Sequence, residues 1–209
     1  MSERKQLLIC THNRGKLKEI KAILAGLPVD LLTLDDIPDL PDPVEDGDTF
    51  LANAQIKVRS AYAHAGLPCL GDDSGLVVPL LDGAPGIYSA RYGGSQSEVR
   101  EERDQVNRDK LRAEIAKKGS FPCDAYFQCT MVLCLGEGEE HAFEGQAHGQ
   151  IIDEERGDGG FGYDPLFFIP EHEQTYAELS SETKNQLSHR GRALQALKAW
   201  LSEHPEVFS

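Results

Sequence analysis

The sequence predicts an α/β protein with a mixed β-sheet and flanking helices, and three observations carry that reading. Short apolar runs with strand character are interspersed with longer segments whose apolar residues recur at helical spacing. The order is irregular, and two strand-like runs are joined by the tight turn Gly136-Glu137-Gly138, the mark of an antiparallel hairpin. No G-x-G-x-x-G opens the first helix, which argues against a doubly wound dinucleotide-binding sheet.

Leu7 to Cys10 is a short buried-strand signal. Gly15 to Leu27 follows as a helix, with Leu17, Ile20, Ile23, Leu24 and Leu27 on one face. Asp35 to Asp48 is acidic and broken by prolines, hence a loop. Thr49 to Ala65 is helical, with Leu51, Ala54, Val58, Tyr62 and Ala65 on one side; Asn53 and Lys57 share another face. Val99 to Lys118 is a highly charged helix, read as a solvated one. Ala125 to Leu135 carries Phe127, Cys129, Met131, Leu133 and Leu135 on one strand face and pairs through the hairpin turn with His141 to Ile152. The last helix begins near Ser188 and buries Leu194, Leu197 and Leu201. No repeat or low-complexity stretch interrupts residues 1–209, so a single domain is expected.

The net charge of -14 argues against general nucleic-acid binding, which depends on clustered Lys and Arg. It leaves room for a local basic pocket that takes a small phosphorylated ligand. The five cysteines (Cys10, Cys69, Cys123, Cys129, Cys134) form no C-x-x-C pair and are expected as buried free thiols in a reducing compartment. Met1 to Gln6 is polar and the apolar run after it is short. Neither a secretory leader nor a membrane span is therefore expected, and the expected location is cytoplasmic.

Four polar clusters carry chemistry. Thr11-His12-Asn13-Arg14-Gly15-Lys16 joins a strand to a helix start, where unpaired N–H groups and the dipole attract anions. It is not a Walker loop, because Cys10 stands at its first glycine and Leu17 at its Ser/Thr. Asn13 or Thr11 also makes an ordinary helix cap, but cations at a helix start run against the dipole, and such a conflict marks functional sites. Gly71-Asp72-Asp73-Ser74-Gly75 supplies adjacent carboxylates that point different ways, and Glu45 is a plausible second ligand for a divalent cation held by oxygen; as plain structure, the run is good turn chemistry. Gly157 to Pro165 is glycine-rich with Phe161 and Tyr163 inside it, which suits close backbone approach to a stacked ring or, equally, a packed loop. Lys184 to Arg192 places Ser188 as a helix cap with His189 and Arg190 behind it, a second basic helix start.

Together these clusters resemble the Ham1-like, non-canonical purine nucleoside triphosphate pyrophosphatases over nearly the whole chain. The resemblance rests on T-x-N-x-G-K at Thr11 to Lys16, E-x-G-x-T-F at Glu45 to Phe50, D-D-S-G-L at Asp72 to Leu76 and G-A-P-G-I-Y-S-A-R-Y at Gly83 to Tyr92. It continues with G-G-F-G-Y-D-P-L-F at Gly159 to Phe167 and S-H-R-G-R-A-L at Ser188 to Leu194. It implies an elongated, two-lobed homodimer with a central nucleotide cleft, hydrolysing inosine, deoxyinosine and xanthosine triphosphates to monophosphate and pyrophosphate with Mg²⁺. By the same resemblance Asp73 is the general base and a metal ligand, with Glu45 assisting. Thr11, Asn13, Lys16 and Lys57 hold phosphates beside Ser74. Phe161 stacks on the purine, and Gly162, Tyr163, Asp164, Lys184, Ser188, His189 and Arg190 complete the base site.

Two residues depart from the family pattern: His12 stands where many relatives have glycine, and Ala52 where a glutamate is common. The expected reaction is in-line attack of water with proton transfer to a carboxylate. Arg190 and helix-start N–H groups would donate to a 6-oxo purine and meet a 6-amino group donor to donor. A Maf-like pyrophosphatase and a non-catalytic nucleotide sensor are the competing readings. Phe161 and the Ser188-His189-Arg190-Gly191 run argue against the first, and the retained Asp72, Asp73 and Glu45 against the second.

Overall fold

A computed structural model describes residues 5–208. The chain forms two compact units. The first takes the chain up to Asp73, Cys129–Gly145 and the stretch from Arg190 onward; the second is Ser74–Gln128 with Gln146–His189.

The strands are β1 (Lys5–Ile9), β2 (Val29–Thr33), β3 (Cys69–Val77), β4 (Cys123–Gly136), β5 (Glu139–Ile151), β6 (Phe167–Ile169) and β7 (Gln174–Thr175). Among the described residues they form one seven-stranded sheet in the order β2-β1-β3-β4-β5-β6-β7. Its hydrogen bonding is mixed: β1 runs parallel to β2 and β3, whereas β6 is antiparallel to β5 and β7. The helices are α1 (Arg14–Leu24), α2 (Phe50–Ala65), α3 (Arg100–Lys118), α4 (Ser181–Leu187) and α5 (His189–Glu203).

In the first unit β1 is buried on both faces, as a parallel strand between neighbours must be. Leu7 and Ile9 pack with Ile20 and Leu24 of α1 and with Leu194 and Leu197 of α5. Leu8 turns the other way onto Ala54 and Val58 of α2. The length of α2 is fixed at both ends: the Thr49 hydroxyl accepts from Ala52 N at 3.1 Å, and Gly66 closes it in the left-handed conformation. In the second unit α3 turns Leu111 and Ile115 onto Leu76, Phe127, Tyr163, Phe167 and Tyr176. All five cysteines are buried free thiols, as their apolar settings imply.

Of the two forms open to it, extended or turning, the Asp72-Asp73-Ser74-Gly75 run takes the first and lies inside β3, where ladder pairing overrides turn propensity. The structure departs from the sequence reading in two places. Lys184 to Leu187 does not open the last helix but ends the separate helix α4, and Ser188 is its C-terminal cap, donating its N–H to Lys184 O at 2.8 Å. The first helix stops at Leu24, and Gly26, with φ of 93°, turns the chain into β2.

Gly157 is the glycine-rich loop's tightest backbone approach. Its φ is 83°, and a Cβ built there would lie 2.6 Å from the carbonyl carbon of Ala177, backbone that cannot swing aside. Gly157→Ala should therefore destabilise the second unit by about 1–3 kcal/mol, through overpacking and positive-φ strain. Thermal denaturation checks this, and an unchanged Tm would show that the loop has room to move.

Candidate active site

Because β3 is extended, Asp72 and Asp73 project to opposite faces of the sheet. Their surroundings differ accordingly. Asp72 is buried, with Oδ2 lying 2.9 Å from Lys16 Nζ and 3.3 Å from Arg190 NH2. Arg190 also binds Glu19 of α1 through NH1. Burial alone would raise the Asp72 pKa, but Lys16, Arg190 and Lys57 outweigh it and hold the carboxyl well below the usual carboxylate range. Its second oxygen, Oδ1, is a buried acceptor with no hydrogen-bond partner among the described residues.

Asp73 sits on the other side, facing α2. Asn53 donates from Nδ2 to Asp73 Oδ2 at 3.0 Å, and Lys57 Nζ stands 3.7 Å from Asp73 Oδ1. Lys57 also reaches Glu45 Oε2 at 2.8 Å and the Asp72 carbonyl at 3.0 Å. Burial raises the Asp73 pKa, and the opposing Lys57, Lys16 and Asn53 do not cancel it, with Asp72 adding like-charge repulsion. Neighbouring carboxylates are thus driven apart: Asp72 stays an anion, while Asp73 keeps an enhanced affinity for a proton. Such a split assigns acid and base roles.

Asn53 also accepts the Gly47 N–H at 2.9 Å, so the same amide carries the Glu45-Asp46-Gly47 loop and steadies Asp73. It belongs to the site, yet the sequence reading gives it no role there. The signals it leaves are its place beside Ala52 in the Thr49-Phe50-Leu51-Ala52-Asn53-Ala54 run and the helix face it shares with Lys57. At the start of α1, Asn13 is the cap, its Oδ1 accepting from Lys16 N at 3.1 Å, and the Thr11 hydroxyl accepts from Asn13 N at 3.2 Å. His12 turns away to Asp42 at 2.8 Å. Ser74 follows Asp73 on β3 and is half-buried.

Glu45 and Asp73 offer oxygen ligands around one ammonium, and no group of three His, Cys, Asp or Glu side chains among the described residues is placed to hold a metal. An ion there would rest on two carboxylates, with waters or substrate oxygens filling the other positions. That is how Mg²⁺ is commonly held. The donor set fits.

The second unit gathers the aromatic cluster. Asp164 Oδ2 accepts from Phe161 N at 2.8 Å and from Lys184 Nζ at 2.7 Å. The Lys184 ammonium also lies 4.6 Å from the Phe161 ring centroid. Gly160, with φ of 72°, leaves room for that carboxylate. The helix α3 is not the solvated bystander its charge suggests. Asp104 accepts from Gly162 N and Arg108 donates to Gly162 O, both at 2.9 Å, so one turn of α3 clamps the peptide groups beside Phe161. Asn107 anchors the Gly83 to Tyr92 run in the same way, taking Gly93 N at 2.6 Å and donating to Ala90 O at 3.3 Å.

Three residues assigned to the base site face protein instead. Tyr163 is a core side chain whose hydroxyl donates to Ser89 O at 2.9 Å. The His189 ring stacks on Phe127, with centroids 4.7 Å apart. Arg190 has both terminal nitrogens on Glu19 and Asp72 and is 1% exposed, so its side chain holds Asp72 instead of presenting donors to a purine. Ser188 is likewise buried.

Replacing Asp72 by Asn removes the buried anion between Lys16 and the buried Arg190 and should destabilise the protein by about 3–5 kcal/mol at neutral pH. The lowered pKa fixes the pH window. The contribution is complete above the unfolded-state value of about 3.9 and is lost as pH falls through the lower folded value. Denaturant unfolding of both proteins should show a constant gap from pH 7 to about 4 that narrows below it. A gap that closes at higher pH would remove Asp72 as its source.

Comparison with known proteins finds relatives that match nearly the whole chain. The profile of the Ham1 family matches residues 7–200. A dITP/XTP pyrophosphatase of Geobacter sulfurreducens is 51% identical over 193 residues, covering 92% of this chain and 94% of the relative. One from Halalkalibacterium halodurans is 42% identical and is covered over 99% of its length, with 94% of this chain. Among solved structures, a HAM1 protein from Coxiella burnetii superposes with a TM-score of 0.86 at 36% identity, over 95% of this chain and 99% of that one. A profile match of this length, beside relatives so alike from end to end, places the chain in the Ham1 family.

Proposed function

We propose that the protein hydrolyses non-canonical purine nucleoside triphosphates (dITP, ITP and XTP) to the monophosphate and pyrophosphate, cleansing the nucleotide pool. The observation that carries this reading is the split between Asp72 and Asp73, which leaves one buried carboxylate able to accept a proton beside Lys57 while Lys16 pairs with its neighbour Asp72. The pyrophosphatase names of the relatives supply the substrate class.

In this reading Asp73 takes the proton from the attacking water, and the bond from the α-phosphorus to its bridging oxygen breaks to release pyrophosphate. Mg²⁺, held by Asp73 and Glu45, would supply neutralisation of phosphate charge. Lys16 and Lys57 donate to the triphosphate, with Thr11, Asn13 and the α1 N-terminus. A phosphate reaching Lys57 competes with Glu45, the more exposed of its carboxylate partners. Phe161 stacks on the purine. Lys184 supplies a donor at the ring, which suits a 6-oxo acceptor and not a 6-amino group. Arg190 acts through Asp72 as a positioning residue, and Tyr163, Ser188 and His189 serve the base site as buried structural residues. The reading extends to a cytoplasmic homodimer, as family resemblance implies; no helix among the described residues is long and apolar enough to cross a membrane.

A panel of dITP, ITP, XTP, GTP and ATP with Mg²⁺ tests the function, scored for pyrophosphate against orthophosphate. Pyrophosphate from the first three, with little turnover of ATP, is the expected result; orthophosphate release would overturn it. Asp73→Asn should lower kcat by roughly 10²–10⁴-fold while the fold persists, the usual loss when a general base is removed.

In the metal-free protein the Asp73 carboxyl should titrate above the range of an ordinary carboxylate, and a bound divalent cation should bring it down by favouring the anion. Because Lys57 pulls that pKa down, Lys57→Met should move the metal-free titration to still higher pH, as followed by the carboxyl carbon resonance of Asp73 in NMR. A titration that does not move would separate Lys57 from Asp73.

A further inference from the structure

The first residue of α3 is a cation, Arg100, at the helix end the dipole makes unfavourable for it. Its guanidinium carbon lies 4.6 Å from the centroid of the Phe161 ring. Arg100 Nε is 3.4 Å from Asp104 Oδ2, the same oxygen that accepts the Gly162 N–H. Arginine and loop thus share one carboxylate, and the guanidinium is kept over the ring by the residue that fixes the ring's own backbone.

Two cations therefore lie over Phe161, and they are held very differently. Lys184 is buried and bound at 2.7 Å to Asp164, which also fixes Phe161 N; withdrawing it would leave a buried carboxylate short of its counter-charge. The Arg100 side chain is 31% exposed, and its contact to Asp104 is longer, at 3.4 Å. A guanidinium is planar and stacks on an aromatic face much as a base does. It takes up space within stacking distance of the ring, where a purine would lie.

We propose that Arg100 is an internal competitor for the stacking face of Phe161, a side chain that the nucleotide base displaces on binding. This rests on the reading that Phe161 stacks on the purine. Arg100 thereby sets the concentration at which nucleotide enters the site. An exposed cation–aromatic contact weakens a competing ligand by about two- to five-fold.

The test compares wild type with Arg100→Ala and Arg100→Lys, using dITP as substrate and two inhibitory probes, dIMP and inorganic tripolyphosphate. Arg100→Ala should lower KM for dITP and Ki for dIMP by about two- to five-fold. The change should fall on KM instead of kcat, with Ki for tripolyphosphate unmoved because that probe has no base. Arg100→Lys, which keeps a cation, should return both constants towards wild type. A KM for dITP that is unchanged or raised in Arg100→Ala overturns the proposal, as does an equal shift for tripolyphosphate. Phe161→Ala separates the two readings. If it raises KM for dITP, the ring is the stacking partner and the Arg100 result stands alone; in that background Arg100→Ala should have no further effect. If Phe161→Ala leaves KM unchanged, the stacking assignment fails first and the proposal falls with it.

Discussion

One buried anion organises the first unit. Asp72 takes Lys16 from α1 and Arg190 from α5 on a single oxygen, and Glu19 of α1 takes the other end of Arg190. Two cations and two anions close into a neutral group, which is the condition for keeping charge away from water. The basic starts of α1 and α5, puzzling against their helix dipoles, have a structural answer here. Each supplies a counter-charge to a carboxylate on β3, and any phosphate that binds meets cations already held in place.

Fixing Asp72 as an anion frees Asp73 for different work. It is the neighbour in sequence but faces another helix, where Asn53 and Lys57 hold it less strongly than burial disfavours its charge. Asn53 couples that carboxylate to the Gly47 turn, so the Glu45 loop and Asp73 keep their mutual position through one side-chain amide. The second unit follows a similar plan: Asp164 serves Lys184 and the Phe161 backbone together, and Asp104 serves Arg100 and the Gly162 backbone. In each unit a carboxylate ties a cation to the peptide groups or strand that carry the chemistry.

Much of the fold was legible where a periodic pattern runs long enough. α2, α3, α5 and the β4–β5 hairpin lie within a few residues of their expected bounds. β2, β6 and β7 were not legible, because strands of five, three and two residues carry no period and exist through their pairing. In the site, local motifs marked the residue types but not their partners. Asp72 and Arg190 stand 118 positions apart, and nothing in either segment announces that they meet. The α3 stripe of Arg100, Asp104 and Arg108 was visible at a four-residue interval, yet charge at that spacing usually means a solvated face. Only the fold shows that it grips a loop.

The alternation of β3 has a consequence for how the protein can err. Which aspartate is structural and which is chemical is settled by parity along one strand, through the pairing of Leu8 with Cys69 and Ile9 with Leu70. A slip of one residue would turn Asp73 towards Lys16 and Arg190 and leave Asp72 facing Asn53, with every residue type in the motif still present. Such a chain would look intact in sequence and in composition, yet its buried charges would be satisfied by the wrong carboxylate. Gly71 guards against this: a Cβ there would come within 2.8 Å of Val58 Cγ1, so the strand lies against α2 at a spot where only a glycine fits without a shift.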